Sequence, residues 1–466
     1  MCLSMIDRAR LITAVLAGKT AAHASRLLKL GGGSSAPGVV ARWIAPAVLT
    51  QVVARLPQGV VLVAGTNGKT TTARMIADTL RDAGLRLIFN RTGANLVSGL
   101  TAEAIARSAV DGTPDADMAL FEVDEAALPR AIAETRPRLV VLHNLFRDQL
   151  DRYGEVDTIA RTWRAALDTL PAAAVVLLNA DDPAIAQLAE GLVARTVFYG
   201  IDDTRQASNA SAHIADSQFC RCGASYSYSA RFYAHIGHYR CPACGRSRPQ
   251  PQYRLVSVVL HGTAATQLTI AAGEVHTPLT LPLPGLYNAA NALAAFAVAR
   301  ELGIAAGRVQ QSLARFSAAF GRVERVNADG RPLLLILIKN PVGAGEAVRM
   351  LTSTNDLHML IVINDRDADG TDVSWLWDAD FEQLAGHVAH ATVAGTRAED
   401  MAVRLKYAGI AADQITVIAA IPAALDAALT TLPADTTLYV LPTYTAMLEL
   451  RSELVRRGWA RPFWED

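Results

Sequence analysis

Short apolar runs alternate with stretches of helical periodicity along most of this 466-residue chain. Val60–Ala64 and Ala174–Leu178 are apolar at every position and Leu85–Phe89, Met118–Val123 and Leu139–His143 at all but one, the pattern of strands covered on both faces. After the first run, Ala73, Ile76, Ala77 and Leu80 recur at helical spacing, and Gly84 stands where a helix cap belongs. Strand and helix patterns alternating from about 55 to 200 predict a parallel sheet with helices on both faces. A second series begins near 326, with strands expected at Leu333–Ile338, His358–Asn364, Ala391–Ala394, Ile415–Ala419 and Thr437–Leu441. Ahead of both, residues 5–30 read as an amphipathic helix carrying Arg8, Arg10, Lys19, Arg26 and Lys29. Its apolar face is mostly alanine and leucine without aromatics, so it is expected to pack on the first sheet unit, with a membrane-surface contact as the alternative. Gly31–Gly38 reads as a flexible break.

Composition narrows the classes. At roughly 150 residues per domain the length predicts two or three domains, and a 51% hydrophobic content supplies large cores. Lys plus Arg and Asp plus Glu are 44 each, which removes bulk attraction to nucleic acid. Lysine occurs only at 19, 29, 69, 339 and 406. Four of the five cysteines fall between 220 and 244, a spacing that suits metal ligation in a reducing compartment better than a disulfide framework. Neither a signal peptide nor an apolar run near the ~20 residues that span a bilayer is evident. The expectation is a cytoplasmic protein that is not integral to a membrane.

The chemistry centres on Gly65-Thr66-Asn67-Gly68-Lys69-Thr70-Thr71, where an apolar strand stops and a helix starts. Glycines let backbone N–H groups approach an anion, and the helix N-terminus adds partial positive charge. Lys69 can reach terminal phosphates and the Thr70 hydroxyl can ligate magnesium. The common G-x-x-x-x-G-K-[ST] form would need glycine at position 63, where the chain has Val63. Polar groups follow the other strands: Asn90–Asn95, Glu122–Glu125, His143–Gly154 and Asn179–Asp182. Ligands of such sheets gather at the carboxyl ends of strands, and carboxylates converging on a phosphate loop suit magnesium.

Cys220-Arg221-Cys222-Gly223 and Cys241-Pro242-Ala243-Cys244-Gly245 form two knuckles 18 residues apart. Four thiolates satisfy tetrahedral zinc in a closed, structural site. His235 and His238 lie between the knuckles as alternative ligands, and are expected at the surface. The acidic stretch Asn364–Asp378 lacks the glycine and glutamate spacing of an EF-hand, leaving a solvated turn as the plain reading.

Together these motifs resemble the Mur ligase family. The resemblance is carried by the loop 65–71, Glu122, the run Asp148-Gln149-Leu150-Asp151-Arg152-Tyr153, Asn179-Ala180-Asp181-Asp182, Gly285-Leu286-Tyr287-Asn288-Ala289-Ala290-Asn291 and Gly321-Arg322-Val323-Glu324. It implies ATP on Gly65, Thr66, Asn67, Gly68, Lys69, Thr70 and Thr71, with contacts from Asn288, Asn291 and Arg322. It also implies magnesium on Thr70 and Glu122, and catalytic work by Lys69 and Glu122 as a carboxylate becomes an acyl phosphate that an amine attacks. Helix capping is the plain reading of Asn288 and Asn291.

Three departures narrow it. Gln149 stands where the family has histidine, which puts a second magnesium site in doubt. No lysine lies between Lys69 and Lys339 to carry a carbamate, and only about 55 residues precede the loop strand, too few for a uridine-nucleotide domain. With the cysteine ribbon and the segments Lys339–Gly343, Asn364–Asp378, Gly395–Asp400 and Leu441–Thr445, the chain resembles the MurT branch, the synthetase subunits of lipid II isoglutaminyl synthase.

That resemblance implies a GatD-like glutamine amidotransferase partner in a heterodimer and lipid II as substrate at the inner membrane face. Asp372 would complete the partner's Cys-His triad, with Asp369 as runner-up. The expected class is α/β: an N-terminal helical segment and linker at 1–54, a Mur ligase-like P-loop domain at 55–325 with a zinc-ribbon insertion at about 205–255, and a C-terminal Rossmann-like domain at 326–466. The alternatives are a Mur-like amino-acid ligase, such as a folate polyglutamylating enzyme, and a non-catalytic zinc-ribbon nucleotide-binding module.

Overall fold

Val61 and Val63 project to one side of their strand and Val60, Leu62 and Ala64 to the other, and all five are buried. A strand apolar at every position has no solvent face, so it must sit inside a sheet sandwiched by other layers. In the computed structural model, which describes residues 4–27, 35–90, 94–146, 156–208, 219–317 and 322–461, that is what forms. The first eleven strands are β1 (Val60–Ala64), β2 (Leu87–Phe89), β3 (Met118–Glu122), β4 (Leu139–Leu142), β5 (Val175–Asn179), β6 (Arg195–Ile201), β7 (Ser227–Tyr233), β8 (Ile236–Arg240), β9 (Tyr253–His261), β10 (Ala265–Ala272) and β11 (Val275–Leu281).

Nine of them make one sheet in the order β11-β10-β9-β6-β5-β4-β1-β3-β2. It is parallel from β2 to β9, with β9, β10 and β11 added as an antiparallel edge. The strands expected between about 55 and 200 are parallel, and the antiparallel edge lies beyond that stretch; there β11 buries alternate residues and leaves one face exposed. The chain leaves β1 toward β2 and β3 on one side, and β4, β5 and β6 build the other side. A crevice therefore opens beyond the carboxyl end of β1, where ligands of such sheets bind. β7 and β8 stand apart as a two-stranded hairpin.

The remaining strands are β12 (Arg322–Ala328), β13 (Arg331–Ile336), β14 (Leu357–Val362), β15 (Val388–Ala394), β16 (Ile415–Val417) and β17 (Leu438–Pro442). They form a six-stranded sheet in the order β12-β13-β17-β14-β15-β16, parallel except for the β12–β13 hairpin. β12 was not among the expected strands.

The first helix runs Met5–Leu27 and buries Leu11, Ala14 and Val15. The expected break at 31–38 is shorter than the glycines suggest: Ala36, Pro37 and Gly38 open a helix, Ala36–Ile44. Proline suits a first helical turn, and a Cβ on Gly38 would lie 1.8 Å from the Ser98 carbonyl oxygen, so its glycine serves close helix packing rather than flexibility. Residues 31–34 lie outside the described residues. Among the described residues, no helix is long and apolar enough to cross a membrane.

Candidate nucleotide site and cysteine cluster

The loop after β1 needs its second glycine for two reasons. Gly68 has φ of 83°, the left-handed region that favours glycine. A Cβ there would also lie 2.2 Å from Asn291 Oδ1 and 2.8 Å from the His143 ring. From that point the helix Lys69–Asp82 departs, burying Ala73, Ile76, Ala77 and Leu80 as the periodicity predicts.

Thr70 and Glu122, from β1's helix and β3's end, meet: the Thr70 hydroxyl donates to Glu122 Oε1 at 2.8 Å. Glu122 is held in turn by Asn90, which accepts its N–H at 2.9 Å and donates to its carbonyl at 2.8 Å. Lys69, itself buried, donates to the Thr66 carbonyl at 3.2 Å and pairs with Glu125 at 3.0 Å. Glu125 had no assigned role in the sequence reading. Its legible signal is its place three residues after Glu122, at the end of the same strand.

In the sequence His143 is only the last residue of a strand pattern, yet it packs behind the loop. One ring nitrogen lies 2.5 Å from the Tyr199 hydroxyl and the other 2.5 Å from Asn291 Oδ1. Asn291 donates to Asn288 Oδ1 at 3.2 Å, and Asn288 donates to the Pro284 carbonyl at 2.7 Å. Burial pushes His143 down to about 4, against the opposing pull of the Asn291 hydrogen bond, so the ring is neutral near pH 7. Neither asparagine caps the helix Leu286–Glu301, whose N-cap is Gly285; both are buried beside the loop.

Asn144 grips the loop's other side, accepting from the Asn67 N–H at 2.8 Å and donating to the Asn67 carbonyl at 3.0 Å. The Asn67 amide also meets Asn340, the N-cap of the helix Pro341–Leu351 after β13, at 2.9 Å. The second sheet thus touches the loop directly.

Two expected acidic residues are elsewhere. Asp181 and Asp182 do not converge on the loop. Asp181 accepts from Arg248 at 2.6 Å and from the Ile201 N–H at 2.7 Å, while Asp182 accepts the N–H groups of Ala184, Ile185 and Leu145. Arg322 starts β12 in the second sheet, opposite Ile336. Residues 148–153, including Gln149, lie outside the described residues.

Asp372 is exposed and accepts the Ser374 N–H at 2.8 Å, which holds its carboxyl below the usual range. Asp369 is buried, and its two oxygens accept from the Thr445 N–H, at 2.7 Å, and from the Thr445 hydroxyl.

The four cysteines come together with every sulfur within 4.8 Å of the others. Cys220 and Cys244 are 3.5 Å apart, and Cys222 and Cys241 are 3.4 Å apart. Ligands at ~2.3 Å on a tetrahedral ion would be separated by roughly 3.8 Å, so the group fits a metal of that geometry. Burial raises the Cys220 thiol, but the Cys222 N–H, Tyr226, Cys244 and the Arg246 guanidinium outweigh it and carry the thiol down to about 6. Neither histidine joins the group, and His235 is not at the surface. It is 0% exposed, pressed against Phe146 with ring centroids 4.8 Å apart. His238 bonds the Ile201 carbonyl at 2.7 Å.

A family model described as Mur ligase middle domain matches residues 63–239, and one described as MurT ligase C-terminal matches 337–447. Over 437 residues the chain is 34% identical to the lipid II isoglutaminyl synthase (glutamine-hydrolyzing) subunit MurT of Streptococcus pneumoniae, covering 92% of this chain and 94% of that one. Over 403 residues it is 33% identical to the subunit of the same description from Staphylococcus aureus, covering 85% and 88%. A solved pseudomurein peptide ligase type C from Methanothermus fervidus shares the fold, with a TM-score of 0.65 at 20% identity over 88% of this chain and 80% of that one.

Proposed function

This chain belongs to the MurT branch of the Mur ligase family, and from that premise we propose that it amidates lipid II, converting the α-carboxylate of the stem-peptide D-glutamate to D-isoglutamine. The observation that carries the reading is the meeting of Thr70 and Glu122 at 2.8 Å beside the paired Lys69, at the carboxyl ends of β1 and β3. Magnesium, when bound, supplies positive charge against the phosphates, and the oxygens of Thr70 and Glu122 are the ones suited to hold it.

ATP would lie on Gly65–Thr71, with Lys69 turned from Glu125 toward the terminal phosphates. The glutamate carboxylate oxygen attacks the γ-phosphorus and ADP leaves. Both partners are anionic, so Lys69 and Arg322 lower the repulsion as charge moves. Ammonia then attacks the acyl carbon, phosphate departs, and the nitrogen loses a proton. Asn288 and Asn291, fixed by His143, serve as nucleotide contacts.

Free ammonia is scarce at neutral pH, which favours delivery by a GatD-like glutaminase. Asp372 suits completion of that partner's triad because it is exposed, whereas Asp369 is already saturated by Thr445. Zinc on Cys220, Cys222, Cys241 and Cys244 would be structural. We read the organisation as an N-terminal segment at 1–54, the loop-bearing sheet unit from 55, and a C-terminal unit that opens with β12 at Arg322, slightly ahead of the expected 326, and the location as cytoplasmic, at the inner membrane face where lipid II resides.

The deciding experiment is mass spectrometry of lipid II after incubation with ATP, magnesium and an ammonium salt. Conversion of one acid to a carboxamide at the D-glutamate is expected. Amino-acid addition without amidation would move the chain to the amino-acid ligase reading.

A further inference from the structure

The run Asn179–Asp182 stands out in the sequence, and its carboxylates turn away from the loop they were expected to serve. They face the cysteine ribbon instead. Asp181 takes Arg248, just past the second knuckle, on its side chain, and its carbonyl accepts the Gly237 N–H of β8 at 2.9 Å. Asp182 Oδ2 lies 3.3 Å from His235 Nε2 at the tip of the β7–β8 hairpin. Among the described residues, neither ring nitrogen of this fully buried histidine makes a hydrogen bond. Buried polar atoms are normally satisfied, so the surrounding structure, rather than the histidine's own bonding, holds it there.

The same Asp182 oxygen accepts the Leu145 N–H at 2.9 Å. The next residue, Phe146, touches the rings of both His235 and Tyr233 from the hairpin. Its backbone is bonded twice to Thr66 of the loop: the Phe146 N–H donates to the Thr66 hydroxyl at 3.0 Å, and that hydroxyl donates to the Phe146 carbonyl at 3.1 Å. On the ribbon's side, the Tyr228 hydroxyl donates to the His235 carbonyl at 3.0 Å. Tyr226, Tyr239, Cys220 and Cys241 share one small core.

We infer that the ribbon is a strut for the nucleotide loop: its hairpin tip seats His235 against Asp182 and Phe146, and Phe146 braces Thr66, so ribbon folding and nucleotide affinity are linked. His235 is a positioning residue in this scheme, since it acts only through Asp182 and Phe146. The inference rests on reading Gly65–Thr71 as the nucleotide loop and the cysteines as zinc ligands. Linkage is reciprocal: whatever factor zinc adds to nucleotide affinity, nucleotide must add to zinc affinity.

The test is calorimetric binding of a non-hydrolysable ATP analogue with magnesium to the full chain. It is run with zinc loaded, with zinc removed by a chelator, and as the zinc-loaded His235→Asn variant. Both perturbed forms should bind the analogue about 5- to 30-fold more weakly, within the usual range of coupling between sites. The variant should keep its full zinc content. Competition with a chromogenic chelator should show zinc held more tightly, by the same factor, when the analogue is present.

A residue that mattered only for general stability would lower the unfolding temperature and leave the affinity of the folded protein unchanged. If the wild type fails to bind the analogue, the nucleotide-loop reading itself is lost. If it binds, and neither zinc removal nor His235→Asn weakens binding, the strut is overturned. Should the variant not fold, the zinc-removed wild type and the reciprocal competition decide alone.

Discussion

The two sheets both place acidic residues at the carboxyl ends of their strands and treat them in opposite ways. Beside β1, Glu122 and Glu125 are 4% and 3% exposed, and each already has a partner, Thr70 for one and Lys69 for the other. Beyond β14, Asp372 is exposed and bonded to Ser374, three residues after an Asp369 locked onto Thr445. The contrast matches the roles proposed for the two ends. Groups that hold crowded phosphate charge act most strongly in a dry site, where each electrostatic contact is worth more. A carboxylate that must orient another protein's imidazole has to remain at the surface. Burial therefore sorts the acids into different tests.

The largest effect belongs to the buried end. Lys69→Ala should lower amidation by about 10³-fold, with glutamine or ammonium alike. Glu125 would be left as an uncompensated buried charge, so unfolding should be followed beside turnover. Retained turnover in a folded variant would break the comparison at its first term.

Asp372→Asn comes next and tests the exposed end. Glutamine-dependent amidation in the complex should fall by about 10²-fold or more, while ammonium-dependent amidation changes less than about threefold. Equal loss in both assays would mean that Asp372 belongs with Lys69 rather than with a partner.

Asp369→Ala separates the two neighbouring aspartates. It removes two hydrogen bonds from Thr445 and should cost about 2 kcal/mol in chemical denaturation. Both ammonia sources should be affected to the same degree. A selective loss of glutamine use would exchange the roles of Asp369 and Asp372.

How much of this was legible depended on whether local sequence carried the signal. β1 and the helix after it were readable because a continuous apolar run and a 3.6-residue period are local properties. The pairing of Thr70 with Glu122 was readable because strand ends of a parallel sheet share one edge. The cysteine cluster was readable from its two knuckles. The sequence did not reveal that Asp181 and Asp182 face the ribbon, since a carboxylate after a strand reads the same whichever way its side chain turns. His235 reads as a surface residue although Tyr233, Ala234 and Ile236 flank it, because the local sequence carries no sign of the distant Phe146 ring that covers it. Asn144 and Asn340 act through contacts with Asn67 of the loop and His143 through Asn291, all between residues far apart in the chain, and such contacts leave no periodicity.

The smallest effect sharpens the buried side of the comparison, because it concerns a group kept uncharged rather than one kept charged. Burial drops His143 to about 4 in the folded chain, against about 6.5 when unfolded. Between these values the unfolded state binds a proton that the folded state does not. Stability owed to His143 is therefore fully present above about pH 6.5 and is lost as pH falls toward 4. Burial raises the buried acids Asp181 and Glu346 as well, so the useful quantity is a difference between proteins. From pH 7 to pH 5.5 the wild type should lose about 1 kcal/mol more than His143→Gln, as read from denaturant unfolding at each pH. Equal losses would mean that the ring is protonated, or free to leave its place, behind the loop. The buried end would then not be the dry, preorganised site that distinguishes it from the exposed end at Asp372.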